Sequence, residues 1–357
     1  MNIGILSYWG WARGIAYTTR FLVKTLKDDH NVYILKQGSN PISEEFVIFD
    51  DKKYVTEYPN YVVDPDFFKK WITDNNLDAV IFHEFNQWSS EPNNLPKIVR
   101  DMGKKAYGYL TTERFKPEQT KEYDRIFAPT VSFERFMRMH KCRNFTYIPR
   151  SIDLNEFPAP KRQIANRPFT FFHPGGWGGV FNRKNTQVVV DAFNRLSKDH
   201  KNVKLIVASQ KELKTEGTLP ENLEIISKDF SRQELIDLYY KADCTVLPSK
   251  WETIGIPILE SLAAGKPLIV TDVPPMNEFV RPGKNGYLTK HNLEHYPTIS
   301  VYAAIVNPIN LKNNMENMLN ESLYPMLSRN SRYIAETFYD LEKNKHYLLD
   351  FLKKDLK

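Results

Sequence analysis

Cysteine is scarce in this chain of 357 residues, which has only Cys142 and Cys244. Two cysteines so far apart provide neither a disulfide framework nor the short paired spacing of a metal site. Cys244 lies in an apolar, strand-like run, Ala-Asp-Cys-Thr-Val-Leu-Pro, so we expect a buried and unreactive thiol. The sequence therefore argues against a small disulfide-stabilised domain and against a cysteine-bound metal module.

The chain also lacks a long hydrophobic run and a strong excess of one charge. No stretch approaches the roughly 20 apolar residues of a membrane-spanning helix, and residues 1–8 lack the length and basic start of a signal peptide. The 49 basic and 43 acidic side chains leave a net charge of +6, and the basic residues are dispersed. A nucleic-acid partner is therefore not expected. We expect a cytoplasmic enzyme, soluble or in peripheral contact with an anionic membrane surface.

A dinucleotide-binding fingerprint is missing too. A strand predicted at Asn2–Ser7, a helix from about residue 15 to residue 26 and a strand at Asn31–Leu35 alternate as in a parallel α/β sheet. The loop after the first strand is not Gly-x-Gly-x-x-Gly, so a dinucleotide-dependent oxidoreductase is not favoured. The length allows two domains, and the charged, proline-containing segment at residues 158–168 predicts a linker between them.

What the sequence does contain is a pair of glutamates around a short predicted helix. Glu252 and Glu260 have seven residues between them. Pro257 suits the first turn of a helix, where its missing N–H has no cost, and Gly265 suits the position just past the helix end. Glu252 should therefore lie in the loop before the helix, and Glu260 about one turn inside it.

The residues between the glutamates suit an anion. Thr253, Ile254 and Gly255 would present backbone N–H groups at the helix start, where negative charge is favoured. Gly255 has no Cβ, so a phosphate can approach the chain there. A diphosphate at the helix start, flanked by carboxylates that accept hydrogen bonds from hydroxyls, fits a sugar nucleotide. The alternative is an ordinary surface loop and an amphipathic helix with two solvated glutamates.

A second feature suited to an anion lies earlier in the chain. A predicted strand at Phe169–His173 is followed by a glycine-rich loop and then by Arg183 and Lys184, at the head of a helix running to about Leu196. Two cations at a helix start are electrostatically unfavourable, because that end already carries positive potential. A bound anion would resolve the conflict. The alternative is a solvated basic turn.

The segment from Pro248 to Val280, PSKWETIGIPILESLAAGKPLIVTDVPPMNEFV, resembles the donor-site signature of retaining glycosyltransferases of the GT-B fold, in the group 1 (family four) class. The resemblance covers most of the C-terminal half at motif level and the N-terminal half only loosely. It implies an α/β architecture of two Rossmann-like domains facing across a donor-binding cleft. Residues 1–160 would form the acceptor domain and residues 166–335 the nucleotide-sugar donor domain. A last helix at about residues 340–357 would pack back on the first domain.

The resemblance also implies roles for the residues of the donor site. Glu252 would contact the transferred sugar, and Glu260 would bind the nucleotide ribose. Lys184 matches a lysine of the family's phosphate site, and Arg183 beside it is the candidate substitute for a family arginine whose place here holds glycine. The other donor-site candidates have backbone close to the sugar or the phosphates: Gly14 (alternatively an ordinary loop glycine), Gly175, Gly176, Thr253, Ile254 and Gly255.

The acceptor side is less well defined. His83, Glu84 and Asn86 follow a predicted strand at Asp78–Phe82, and ligands of open α/β sheets bind beyond the carboxyl ends of strands. Members of the resembled family place a histidine after the next strand, where this chain has Leu-Thr-Thr-Glu, ending at Glu113. Either His83 or Glu113 takes the place of that histidine, or the role is absent. A histidine at a strand end is also often purely structural.

Together with the resemblance, these features predict metal-independent transfer of a hexose from a nucleotide-diphosphate sugar of the GDP-mannose or UDP-glucose type, and the resemblance implies that the anomeric configuration is retained. The acceptor would be a glycan, lipid-linked or protein-linked. No Asp-x-Asp motif stands in a plausible donor loop, and Arg183 with Lys184 can replace a metal, so we expect neither metal nor cofactor. Two alternatives stay open: a non-catalytic sugar-nucleotide-binding subunit, and a different GT-B chemistry, such as an epimerase or an inverting transferase.

Overall fold

The computed structural model describes residues 1–10, 14–47, 51–83, 94–109, 115–159, 167–177, 182–213, 217, 219–296 and 301–357. These residues form two compact units. The first unit comprises Met1–Ser151 and Leu341–Lys357, and the second comprises Ile152–Pro297 and Val301–Asp340. Each is built on a parallel β-sheet, as the alternation of strands and helices in the sequence predicts.

The first unit is a parallel sheet with helices between its strands. The strands are β1 (Asn2–Ser7), β2 (Asn31–Gln37), β3 (Val55–Tyr58), β4 (Ala79–His83), β5 (Lys105–Tyr109), β6 (Arg125–Ala128) and β7 (Phe145–Tyr147). The helices are α1 (Gly14–Leu26), α2 (Asp51–Tyr54), α3 (Pro65–Asp74), α4 (Leu95–Asp101), α5 (Val131–Met139) and α11 (Leu341–Asp355). Within the described residues the strand order is β3-β2-β1-β4-β5-β6-β7. All carboxyl ends therefore lie at one edge.

Helix α11 belongs to the first unit although the whole second unit precedes it in the chain. The hydroxyl of Tyr107 in β5 donates a hydrogen bond to Asp355 at 2.8 Å. Phe351 packs edge-on against the rings of Tyr107 and Phe127, with centroids 5.5 Å and 5.4 Å apart. These contacts fix α11 to β5 and β6.

The second unit repeats the plan around a second parallel sheet. Its strands are β8 (Phe169–Gly176), β9 (Val203–Ser209), β10 (Leu223–Ser227), β11 (Cys244–Leu247), β12 (Leu268–Thr271) and β13 (Gly286–Thr289), followed by a separate hairpin of β14 (His291–His295) and β15 (Tyr302–Val306). Its helices are α6 (Thr186–Asp199), α7 (Arg232–Lys241), α8 (Ile256–Ala263), α9 (Pro308–Met318) and α10 (Tyr324–Phe338). The order in the parallel sheet is β10-β9-β8-β11-β12-β13.

The core of the second unit follows from the apolar periodicity of α6. Val189, Phe193 and Leu196 recur at the spacing of one helix face and are fully buried. They belong to one apolar cluster with Phe171 in β8 and Val207 in β9. Burying one such side chain contributes about 1.5–3 kcal/mol to the free energy of folding. This packing holds the start of α6 at the carboxyl edge of β8.

Two elements differ from the sequence prediction. Strand β8 continues through Gly176 rather than ending at His173, with an irregular register between Pro174 and Gly176, so the first glycines of the predicted loop are strand residues. The β14–β15 hairpin was not predicted. Its first strand, His-Asn-Leu-Glu-His, has a single apolar residue, Leu293, and shows no alternation of apolar and polar positions.

Candidate functional site

The predicted helix between the two glutamates is present. Gly255 precedes α8 in a left-handed conformation (φ +73°), and a Cβ there would lie 2.8 Å from Cδ1 of Ile258. Pro257 lies in the first turn, and Gly265 (φ +67°) follows the last residues of the helix. As predicted, Glu252 lies in the loop before α8, and Glu260 lies about one turn inside it.

Glu252 is buried between two basic side chains that come from another loop. Its Oε1 atom lies 2.5 Å from Nζ of Lys184, and its Oε2 atom lies 2.7 Å from Nη1 of Arg183. The hydroxyl of Ser249 donates a further hydrogen bond to Oε1 at 2.9 Å. Arg183, Lys184, Ser249 and Glu252 are called the Glu252 cluster below.

The cluster keeps Glu252 ionised. Burial on its own would raise the pKa of this carboxyl group, but the charges of Arg183 and Lys184, with hydrogen bonds from Lys184 and Ser249, lower it to about 2. With both basic side chains protonated, the four residues carry a net charge of +1. The cluster therefore still attracts an anion after its internal pairing is counted.

Backbone contacts explain why the two loops meet. They follow β8 and β11, which are neighbouring parallel strands, so both leave the sheet at the same edge. Asn185 adopts a left-handed conformation (φ +56°) just before α6, and its side-chain amide donates to the carbonyl of Pro248 at 2.7 Å. Nη1 of Arg183 donates to the carbonyl of Trp251 at 3.2 Å. This edge is where ligands bind in open α/β sheets.

His173 supports the same edge, and the sequence analysis did not single it out. Its Nδ1 atom lies 2.8 Å from the carbonyl oxygen of Val246, which can only accept, so Nδ1 carries the proton. Its Nε2 atom then accepts from the hydroxyl of Thr186, at 3.0 Å. Burial lowers the pKa of His173 to about 4; the Val246 hydrogen bond opposes this shift, and the charge of Lys184 adds to it. A neutral imidazole therefore ties β8, β11 and the start of α6 together.

Glu260 lies in a separate cluster with residues that the sequence analysis also missed. Nη1 of Arg232 forms an ion pair with Oε1 of Glu260, and the hydroxyl of Tyr239 donates to Oε2 at 2.8 Å. Nε of Arg232 also donates to Glu156 at 3.0 Å. Arg232 and Tyr239 are seven residues apart on α7 and therefore lie on one helix face. The only sequence signal for this cluster was that pair of polar groups on the same face. These four residues are called the Glu260 cluster.

The remaining donor-site candidates lie at different places. Thr253 and Ile254 connect Glu252 to the start of α8. Gly175 and Gly176 end β8, where the carbonyl of Gly176 accepts hydrogen bonds from the Ser209 hydroxyl (3.1 Å) and the Gln210 N–H (2.8 Å). Gly14 is the first residue of α1, in the first unit, and it is exposed.

Of the acceptor-side candidates, only His83 lies within the described residues. It ends β4, is buried, and its Nδ1 atom lies 2.8 Å from the Thr19 hydroxyl. Burial lowers the pKa of His83 to about 3, and the charge of Arg150 adds to that shift. The imidazole is therefore neutral at physiological pH. Glu84, Asn86 and Glu113 lie outside the described residues, so the residue that takes the place of the family histidine stays a prediction.

Two further findings concern the described part of the chain as a whole. No group of three or more histidine, cysteine, aspartate or glutamate side chains there is arranged to hold a metal ion. None of the helices described above has the length and apolar character needed to cross a membrane. As predicted, Cys244 is buried, and burial raises the pKa of its thiol well above the usual value, with the charge of Asp243 adding to the shift.

The chain has the fold of the GT-B glycosyltransferases. The crystal structure of HepE from Anabaena, in complex with UDP and glucose, matches with a TM-score of 0.75. The match covers 99% of this chain and 100% of that chain, at 13% sequence identity. Such a likeness shows the fold alone. It confirms the predicted class of two Rossmann-like α/β domains.

The family of the second unit follows from a more specific match. Residues 177–296 match the family described as glycosyl transferases group 1. The matched segment contains all of the Glu252 cluster. The predicted resemblance to the group 1 glycosyltransferases is therefore confirmed, and the second unit carries a domain of a transferase family.

Two curated relatives are similar at the level of sequence. Glycosyltransferase 335 of Sulfolobus islandicus rod-shaped virus 1, itself uncharacterized, is 32% identical over 124 residues, which are 33% of this chain and 37% of that protein. The alpha-monoglucosyldiacylglycerol synthase of Streptococcus pneumoniae is 31% identical over 254 residues, which are 66% of this chain and 56% of that protein. This chain therefore spans 37% and 56% of the lengths of these two relatives.

Proposed function

We propose that this chain is a retaining glycosyltransferase that moves a hexose from a nucleotide-diphosphate sugar to a glycan, lipid-linked or protein-linked acceptor. One observation carries the proposal. Within the segment that matches the group 1 family, Lys184 contacts Glu252 from 68 positions away in the chain. The neighbouring Arg183 contacts the same carboxylate, and all three residues lie at the carboxyl edge of the sheet. This arrangement combines an anion-attracting pair with an ionised hydrogen-bond acceptor.

The chemistry assigned to the cluster follows from its charges. Arg183 and Lys184 would stabilise the negative charge that grows on the leaving diphosphate, and the N-terminus of α8 would add fixed dipoles. Because these groups are already in place, little reorganisation is needed when the bond to the sugar breaks. Glu252 would accept hydrogen bonds from sugar hydroxyls and orient the ring rather than attack it. Retention of the anomeric configuration is part of the proposal and rests on the family resemblance.

The nucleotide would be held by the second glutamate. Glu260 is ion-paired with Arg232 and hydrogen-bonded to Tyr239. Each carboxylate oxygen has two lone pairs, so both can accept a ribose hydroxyl in addition to these contacts. We infer that Arg232 and Tyr239 orient Glu260 toward the ribose.

The relatives suggest the first substrates to test. The HepE structure contains UDP and glucose, and the pneumococcal relative is named for a monoglucosyldiacylglycerol product. UDP-glucose is therefore the first donor to try, with GDP-mannose as the alternative type, and diacylglycerol is the first acceptor. A lipid acceptor fits a cytoplasmic enzyme in peripheral contact with a membrane surface, which is also part of the proposal. We further propose that transfer needs no metal, because the two cations can take its place.

The experiment begins with a thermal-shift panel of UDP, GDP, ADP, dTDP and their common sugars. A ligand at 100 times its Kd should stabilise the protein by roughly 2.7 kcal/mol, which is a readable shift. The best donor is then incubated with diacylglycerol vesicles, and the product is analysed by proton NMR of the anomeric centre. Retained configuration supports the proposal. Inversion indicates an inverting transferase, an epimerised sugar nucleotide indicates an epimerase, and binding without turnover indicates a non-catalytic subunit.

A further inference from the structure

A hairpin packs beside the Glu252 cluster at the border of the family match. Strands β14 and β15 pair antiparallel, from His291 opposite Val306 to His295 opposite Tyr302. The matched segment ends at residue 296, so β15 lies beyond it. The loop that carries Glu252 is called the Glu252 loop below. Its contacts with β15 therefore involve residues outside the segment that matches the family.

Backbone hydrogen bonds join the hairpin to the loop that carries Glu252. The carbonyl of Lys250 accepts a hydrogen bond from the N–H of Ala304 in β15, at 2.8 Å. The N–H of Lys250 donates to the carbonyl of Arg183, also at 2.8 Å. Lys250 is two residues before Glu252, so one residue links the hairpin, the basic loop and the catalytic carboxylate.

Side-chain packing reinforces this link. Tyr296 directly follows β14, and its ring lies 6.1 Å from the ring of Trp251. Nζ of Lys250 donates to the Tyr296 hydroxyl at 3.4 Å. Trp251 is buried, and its carbonyl accepts the hydrogen bond from Arg183. Tyr296 therefore packs against the residue that directly precedes Glu252.

Strand β15 is largely buried, whereas the end of the hairpin at Tyr302 and most side chains of β14 are exposed. Ala303 and Val306 of β15 are buried, and Val306 belongs to the same apolar cluster as α6 and α9. By contrast, Leu293 and Tyr302 are 58% and 60% exposed. The strand that carries Ala304 is therefore anchored in the core of the second unit.

We propose that the β14–β15 hairpin is a positioning element for Glu252 and that Tyr296 is the side chain through which it acts. The Glu252 loop is irregular and short; Arg183 and Asn185 hold it from one side, and Ala304 and Tyr296 hold it from the other. A displacement of about 1 Å at a reacting centre can cost on the order of 100-fold in rate. Removing the Tyr296 ring removes its packing against Trp251 and leaves the Ala304 hydrogen bond as the remaining contact described between the hairpin and the loop. The inference rests on the proposed function, in which Glu252 orients the sugar.

The kinetic test uses Tyr296→Ala with UDP-glucose as donor and UDP as binding probe. We expect kcat to fall about 10-fold while the Kd of UDP, measured by calorimetry, changes less than about twofold, because the nucleotide is assigned to the Glu260 cluster and the packing of Tyr296 described above is with the Glu252 loop. Tyr296→Phe keeps the ring and should behave like the wild type. Tyr302→Ala removes an exposed tyrosine from the facing strand and is the matched control. An unchanged kcat in Tyr296→Ala, or an equal loss in Tyr302→Ala, would overturn the inference.

A double-mutant cycle with Glu252→Gln separates positioning from a general structural role. If Tyr296 acts through Glu252, Tyr296→Ala should cost less than about twofold in kcat once Glu252 is replaced. The unfolding midpoints of the same four proteins give a readout that needs no turnover. Coupled midpoints support the inference, and additive losses overturn it. A wild-type protein that turns over no donor in the panel overturns the proposed function instead, and the midpoints still decide the positioning role.

Discussion

His83 ends a strand of the first sheet as a buried, neutral group hydrogen-bonded to Thr19, whereas the edge of the second sheet holds an ionised Glu252 between Arg183 and Lys184. Both sheets are parallel, and both histidine and glutamate are buried to a similar degree. The difference therefore comes from the local side chains and not from the architecture. A shared fold supplies two similar edges, and only the groups placed there decide what chemistry each can perform.

Burial also has different consequences at the two edges. A buried imidazole can avoid the cost of desolvation by losing its proton, and burial lowers the pKa of His83 in this way. The buried carboxylate of Glu252 stays charged because two cations and a hydroxyl contact it. The second edge thus maintains a charged cluster in a buried place, which is the arrangement expected where charge must be stabilised during a reaction.

The largest expected effect on turnover is that of replacing Lys184. Lys184→Ala removes a cation assigned to the leaving diphosphate, and we expect kcat to fall by about 100-fold or more. Glu252→Gln keeps the shape of the side chain and should cause a similar loss. The matched controls are Lys204→Ala and Glu224→Gln, each of which breaks an exposed ion pair of 2.7 Å in the same unit. They should leave kcat unchanged. Near-normal turnover of Lys184→Ala, with the protein still folded, would remove this residue from the mechanism.

A smaller effect is expected in the Glu260 cluster. Arg232→Lys cannot reproduce the two-way contact of a guanidinium with Glu156 and Glu260, so we expect the Kd of UDP to rise about 10-fold with little change in kcat. Calorimetry with UDP and steady-state kinetics give the two numbers. Arg138→Lys, in an exposed ion pair of α5, is the control. A loss confined to kcat would contradict the assignment of this cluster to the nucleotide.

The pH dependence of stability should separate His83 from Glu252. His83 has a folded-state pKa of about 3 against an ordinary value of 6.5, so its contribution to stability is present above pH 6.5 and is lost as the pH falls toward 3. Glu252, with a pKa of about 2 against 4.5, loses its contribution only below about pH 4.5.

Urea unfolding at pH 7.5, 6 and 5 tests this separation. His83→Asn should make the loss of stability below pH 6.5 shallower by about 1.4 kcal/mol per pH unit, while kcat stays within a few-fold of the wild type. A loss of turnover by orders of magnitude in His83→Asn would instead assign His83 the place of the family histidine.

The smallest effect is expected from metal removal. Because Arg183 and Lys184 can neutralise the diphosphate, transfer should proceed at an unchanged rate after dialysis against EDTA. The assay is repeated with added Mg²⁺ and Mn²⁺ to show that neither increases the rate. Strong dependence on either ion would contradict the metal-free proposal and would show that the cation pair is not sufficient.

The parts of the site that the sequence predicted are those with local signals. Pro257 and Gly265 mark the two ends of α8 because their backbone preferences are intrinsic. Arg183 and Lys184 attract notice because two cations stand at a helix start. The length of β8 was underestimated, since Gly175 and Gly176 are typical of loops and only the pairing with β9 makes them strand residues.

The parts that were missed depend on contacts between distant residues. Arg232 reaches Glu260 across 28 positions, and its placement on one helix face with Tyr239 does not by itself distinguish it from a solvated helix residue. The hairpin was missed because His291–His295 shows no apolar alternation. This strand is held by pairing with β15, and β15 in turn is hydrogen-bonded to the Glu252 loop. Its second strand lies beyond the segment that carries the family resemblance.

The position of α11 has a consequence for synthesis of the protein. The first unit needs Phe351 and Asp355 to cover Tyr107 and Phe127, yet these residues follow the entire second unit. On the ribosome, the first unit therefore cannot complete its fold before residues 341–355 have emerged, although domains generally fold in order from the N-terminal side. The second unit can finish first, and a fragment ending at Ser151 would expose an uncovered apolar surface to its surroundings.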